Sequence, residues 1–130
     1  MIIDHCRDER ELFDLYSLRP MPNQYDFEFL MRNPNLFCFY DEKIGFLKGF
    51  ITVQKEEIKE LNNKKVLTLS GTSIRGIMPD VITAIITICN AFEEPIYSLT
   101  PLRHAGLVLI KAGFKKIGKN LYRRINHGEK

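Results

Sequence analysis

The chain has 130 residues, enough for one hydrophobic core of ordinary size and too few for two. With 45% hydrophobic and 27% charged residues, eight glycines and six prolines, the composition excludes a disordered, collagen-like or low-complexity protein. The net charge of +3 is unevenly spread: residues 1–100 carry 11 Lys/Arg against 15 Asp/Glu, whereas residues 101–130 carry 8 against the single Glu129.

In chain order, Asp4 to Leu18 has apolar residues at Leu12, Phe13, Leu15 and Tyr16 behind a run of acids, which predicts an amphipathic helix starting near Asp4 or Asp8. Arg19-Pro20-Met21-Pro22-Asn23 stops it. Tyr25 to Arg32 reads as a second, short helix with Phe27, Leu30 and Met31 on one face, closed by Asn33-Pro34-Asn35. An antiparallel hairpin follows: Leu36 to Tyr40, a turn at Asp41-Glu42-Lys43, then Gly45 to Gln54. The charged stretch Lys55 to Lys65, turning at Asn62-Asn63, reads as solvated and leads to a third strand at Val66-Leu67-Thr68-Leu69.

Gly71 to Gly76 reads as a loop, and Pro79-Asp80 opens a third helix over Val81 to Phe92, because proline's missing N–H costs nothing in a first turn. Isoleucines fill most of that helix between Thr83, Thr87 and Asn90, so it is expected to be buried on most sides. Pro95 to Leu99 is a short strand. Leu102 to Ala112 is a fourth helix, with Gly113 as its left-handed cap, and Phe114 to Ile125 is a strand pair bent at Gly118-Lys119-Asn120. No internal repeat or linker interrupts the series, so a single domain is expected over residues 1–130.

The cysteines, Cys6, Cys38 and Cys89, are odd in number and far apart, which excludes a disulfide framework and a Cys-x-x-Cys metal knuckle and points to a reducing compartment. His5, His104 and His127 have no metal-ligand spacing with any cysteine or carboxylate, so no metal is expected. Val81 to Phe92 is too short to span a bilayer, and no signal-peptide pattern opens the chain; a soluble cytoplasmic protein with no membrane partner is expected. The basic C-terminal third, with Lys115, Lys116, Lys119, Arg123 and Arg124 around Phe114 and Tyr122, suits an acidic protein partner, a nucleic acid or a phosphorylated cofactor, and a homo-oligomer is a separate option. A lysine-protected edge strand has the same composition.

The order helix, helix, three-strand meander, helix, strand, helix, two strands resembles the fold of the GNAT N-acetyltransferase family, with the family's first strand reduced to at most Met1-Ile2-Ile3. Ala105-Gly106-Leu107-Val108-Leu109-Ile110-Lys111-Ala112-Gly113-Phe114 is similar to the family's fourth helix and the Gly-Phe after it. The resemblance implies an α/β (α+β) fold: a mixed, mostly antiparallel sheet of about six strands flanked by about four helices. It also implies acetyl-CoA as the acyl donor and an amine as the acceptor.

The family's pyrophosphate loop, Gln/Arg-x-x-Gly-x-Gly/Ala, falls on Ser73-Ile74-Arg75-Gly76-Ile77-Met78. Arg75 and Gly76 match the pattern; Ser73 and Met78 depart from it, Pro79 removes a donor, and Asp80 adds a negative charge beside the proposed anion site. The position of the family's fourth-helix tyrosine, which protonates the departing thiolate, is Leu109, and Val66 to Ser70 contains no carboxylate. Tyr97, Ser98 and His104 are the substitutes on offer; a core aromatic, a turn residue and a surface histidine are the competing readings. Two functions stand side by side. One is acetyl transfer. The other is a GNAT-fold binding or structural module without catalysis, resembling small bacteriophage gene products that include particle components and therefore destined for the cytoplasm or a virion.

Overall fold

The computed structural model describes residues 2–18, 24–43, 45–73 and 78–125, and the side chains of all of these except residues 24, 25, 72, 73 and 78. Chain order is β1 (Ile2–Asp4), α1 (Glu9–Tyr16), α2 (Gln24–Met31), β2 (Leu36–Tyr40), β3 (Leu47–Ile58), a 3-10 turn (Lys59–Leu61), β4 (Lys64–Ser73), α3 (Met78–Cys89), β5 (Ile96–Leu99), α4 (Arg103–Lys111), β6 (Lys115–Lys116) and β7 (Leu121–Arg124). The seven strands form a mixed sheet in the order β1-β2-β3-β4-β5-β7-β6. The count exceeds the expected six because Ile2–Asp4 pairs antiparallel with β2, Ile2 opposite Tyr40 and Asp4 opposite Cys38.

The chain gathers into two compact units: Met1–Thr52 with Gly71–Gly76, and Val53–Ser70 with Ile77–Lys130. In the first, Asp8 rather than Asp4 starts the helix; its carboxylate accepts from the backbone N–H of Arg10 (3.0 Å) and Glu11 (3.3 Å), satisfying two of the donors every helix start leaves open. The apolar stripe of α1, Leu12, Leu15 and Tyr16, packs with Phe27 of α2 on Leu36, Cys38, Tyr40, Leu47 and Phe50. Phe13 meets Phe27 edge to face at 4.9 Å. The Tyr40 hydroxyl accepts from the Arg7 backbone N–H at 2.8 Å, and the Arg7 guanidinium lies 4.5 Å from the Tyr40 ring centroid. Gly71 lies in β4, not in a loop: a Cβ there would overlap the Phe50 carbonyl oxygen and come within 2.8 Å of the Ile51 Cα.

In the second unit Lys55 to Lys65 is solvated as expected, except that Ile58 is buried and Leu61 half-buried. Strand β3 runs on to Ile58, which is fully buried against Val66, Tyr97 and Leu121, and the turn is made by Asn62 and Asn63, both at positive φ (56° and 61°). Helix α3 buries Ala84, Ile85, Ile88 and Cys89. Thr83 and Thr87 stay exposed and donate their hydroxyls back to the carbonyls of Pro79 (2.9 Å) and Thr83 (2.8 Å). The expected cap of α4 is present: Gly113 has φ 97°, its N–H donates to the Ile110 carbonyl, and the Phe114 N–H reaches back to the Leu109 carbonyl (both 3.0 Å). Phe114 is buried just beyond. Among the described residues no helix is long and apolar enough to cross a membrane.

Candidate functional site

Within the second unit, β4 and β5 run parallel, with Leu67 opposite Ile96 and Thr68 opposite Tyr97. At the next position of the register the connection changes character. The Ser98 side chain donates its hydroxyl to the Leu69 carbonyl at 3.0 Å, in a buried setting, while the backbone of Ser98 and Leu99 pairs with Tyr122 and Leu121 of β7 on the other side. A serine hydroxyl thus reaches across one position beyond the last paired residues of the two parallel strands.

Tyr97 and Ser98 are neighbours in a strand, so their side chains leave on opposite faces of the sheet. Tyr97 is buried with Ile58, Val66 and Leu121. Ser98 shares its face with its partner Tyr122. His104 is exposed, one residue into α4. The three residues offered as catalytic substitutes are therefore not brought to one point: Ser98 is engaged as a bridge, Tyr97 belongs to a core cluster, and His104 stands in solvent. Leu109, at the family's tyrosine position, is buried. Of the proposed phosphate loop, Ser73 is the last residue of β4 and Met78 the first of α3; Ile74, Arg75, Gly76 and Ile77 lie outside the described residues.

Two side chains that the sequence did not single out for this chemistry are placed at these strands. Tyr122 of β7 is buried, and its hydroxyl occupies the place where a Cβ of Gly106 would stand. Gly106 is the residue that lets α4 approach this ring, and Tyr122 puts a phenol on the face of Ser98. The only clue in the sequence is the glycine itself, an unfavourable choice inside a helix. Glu56 is the second: its Oε2 accepts the Thr68 hydroxyl at 2.9 Å, and its Oε1 accepts from the Gln54 amide. It brings a carboxylate from β3 to β4, on the face opposite to Ser98 and Tyr122.

Arg124, counted above among the surface cations, ties two helix ends together. Its Nε donates to the Ala112 carbonyl (3.0 Å) and its Nη2 to Asn90 Oδ1 (2.9 Å). Lys115, Lys116 and Lys119 are exposed. Burial pushes the Cys89 thiol up to about 12, as it does the Cys38 thiol and the Tyr40 phenol, so the two cysteines are packing residues rather than nucleophiles. No group of His, Cys, Asp and Glu side chains among the described residues is arranged to hold a metal ion.

Comparison with solved structures identifies the fold. The chain superimposes on a GNAT-family acetyltransferase from Streptococcus agalactiae with a TM-score of 0.74 at 13% sequence identity, over 97% of this chain and 95% of that one. No protein-family model matches the sequence. No curated protein sequence matches it either. The architecture is that of the GNAT acetyltransferases.

Proposed function

We propose that this GNAT-fold chain transfers an acetyl group from acetyl-CoA to the nitrogen of an amine. The observation that carries the reading is the parallel β4–β5 pair, whose register ends at Thr68 and Tyr97 although both strands continue, because the ends of parallel strands can meet an extended amide-bearing arm through backbone donors and acceptors. In the reaction the amine lone pair attacks the thioester carbonyl carbon, the C–S bond breaks, the nitrogen loses a proton and the departing thiolate gains one. Much of the rate comes from holding amine and thioester together, which needs no acid or base. The Tyr122 phenol, on the Ser98 face, takes the donor role that Leu109 cannot fill; Glu56 bonds Thr68 on the opposite face of the sheet, so the amine proton leaves to water. The segment Ser73–Met78, through Arg75 and Gly76, is assigned to the coenzyme pyrophosphate.

The test is release of free coenzyme A from acetyl-CoA, followed with a thiol reagent, across a panel of primary amines. Amine-dependent release is expected. Tyr122→Phe, which keeps the ring against Gly106, should lower kcat by about 10²-fold, the low end for a general acid, because a thiolate is already a fair leaving group. A second reading, a binding module without catalysis, draws support from the Ser98–Leu69 bridge, which occupies a strand carbonyl, and from Leu109. Absence of release with every amine, together with retained fold, selects it.

A further inference from the structure

The face of the second unit opposite to Ser98 and Tyr122 carries a row of polar side chains in strand register. Thr68 of β4 lies opposite Tyr97 of β5, Tyr97 opposite Arg123 of β7, and Arg123 opposite Lys115 of β6. Residues opposite one another point to the same face, and neighbouring strands are about 4.8 Å apart. The row is therefore continuous, with two cations side by side at its end.

This pairing is unfavourable as it stands. Like charges directly opposite on adjacent strands repel. The Arg123 Nε is buried and has no hydrogen-bond partner, although a buried N–H ordinarily finds one. Neither cation forms an ion pair with a carboxylate among the described residues. Glu56, the acid on this face, is held by Thr68 and Gln54 at the far end of the row. Tyr97 and Leu121, both buried, share the face of Arg123 in the strand register, and an ionic hydrogen bond is strengthened in such apolar surroundings.

One ligand chemistry relieves both defects at once. We propose that this strand face binds the oxyanion of a small molecule, a carboxylate or a phosphate. The edge of a guanidinium formed by Nε and one Nη presents two parallel N–H donors that match two oxygens of such a group, and Lys115 adds a point charge beside it. The proposal stands whether or not the chain transfers acetyl groups.

The test uses the full chain, with inorganic phosphate and with acetate titrated separately at constant ionic strength against chloride. The readouts are the arginine side-chain ¹H–¹⁵Nε resonances and the thermal midpoint. One of the two anions is expected to shift the Arg123 Nε resonance saturably and to raise the midpoint, identifying the oxyanion class. Arg123→Gln and Arg123→Lys should each weaken that binding about tenfold or more, the second because lysine keeps the charge and loses the fork. Lys119→Gln, an exposed cation off the row, should leave it unchanged. Binding that leaves the Arg123 Nε resonance unmoved, equal affinity in Arg123→Lys and the parent, or no saturable binding of either anion would overturn the proposal.

Discussion

Replacing Ser98 by alanine separates a structural role for this residue from a catalytic one. The hydroxyl donates to the Leu69 carbonyl at 3.0 Å and the residue is 6% exposed, so water does not readily take its place. Removing it forfeits a net hydrogen bond of about 1 kcal/mol and strips a partner from a buried carbonyl, for a total of about 1–2 kcal/mol. With an unfolding entropy of about 2.1 cal/mol/K per residue, a chain of this length loses about 0.27 kcal/mol for each degree, so the midpoint should fall by about 4–7 °C. Thermal melts followed by far-UV circular dichroism measure this, and urea titration should show a lower midpoint at unchanged slope. A variant that melts with the parent would refute the bridging role. If Ser98→Ala instead melted normally and lost only acetyl transfer, Ser98 would return as a reacting group.

Gly106→Ala should destabilise the protein despite alanine's higher helix propensity, worth about 1 kcal/mol, because the new methyl takes the space of the Tyr122 hydroxyl. The double variant with Tyr122→Phe should recover part of the loss; equal melting of Gly106→Ala and the parent would show that the ring has room to move. Alkaline pH should weaken the fold. Burial raises the Cys38 and Cys89 thiols and the Tyr40 phenol to about 12, above the ordinary values of 9 and 10 they regain on unfolding. Between those limits the unfolded chain binds fewer protons than the folded one, so stability falls as pH rises from about 9 towards about 12. Urea midpoints across that range measure it, and replacing Cys89 by alanine should make the decline shallower.

The elements legible in the sequence were those whose local chemistry and burial agree. Helix α4 announced its end through Gly113, whose positive φ only glycine adopts freely, and through Phe114, which returns to the core. The start of α1 was legible in Asp8, a side chain that can bond its own helix. The second half of β3 was not, because Lys55, Glu56 and Glu57 are exposed and only Ile58 marks the buried side. Three residues of β1 carry too little pattern to be read as a strand; their pairing with β2 is a backbone interaction between distant segments.

The candidate site was legible only in part, for the same reason. Ser98 and Tyr97 were picked out by residue type, yet nothing in the order of letters says that one bridges two strands while the other joins Ile58 and Val66 on the opposite face. Tyr122 sat in an alternating strand pattern, and its lodging against Gly106 depends on a helix 16 residues earlier in the chain. The setting of Arg123, between Tyr97 and Lys115, depends on two strand registers at once.

The most direct measurement of the central claim is isothermal calorimetry of acetyl-CoA into the full chain. The account predicts saturable binding at one molecule per chain, weakened about tenfold or more by Arg75→Ala through loss of a charge-assisted phosphate contact. No heat of binding at millimolar acetyl-CoA, from protein shown to be folded, would contradict it and leave a GNAT fold without the GNAT reaction.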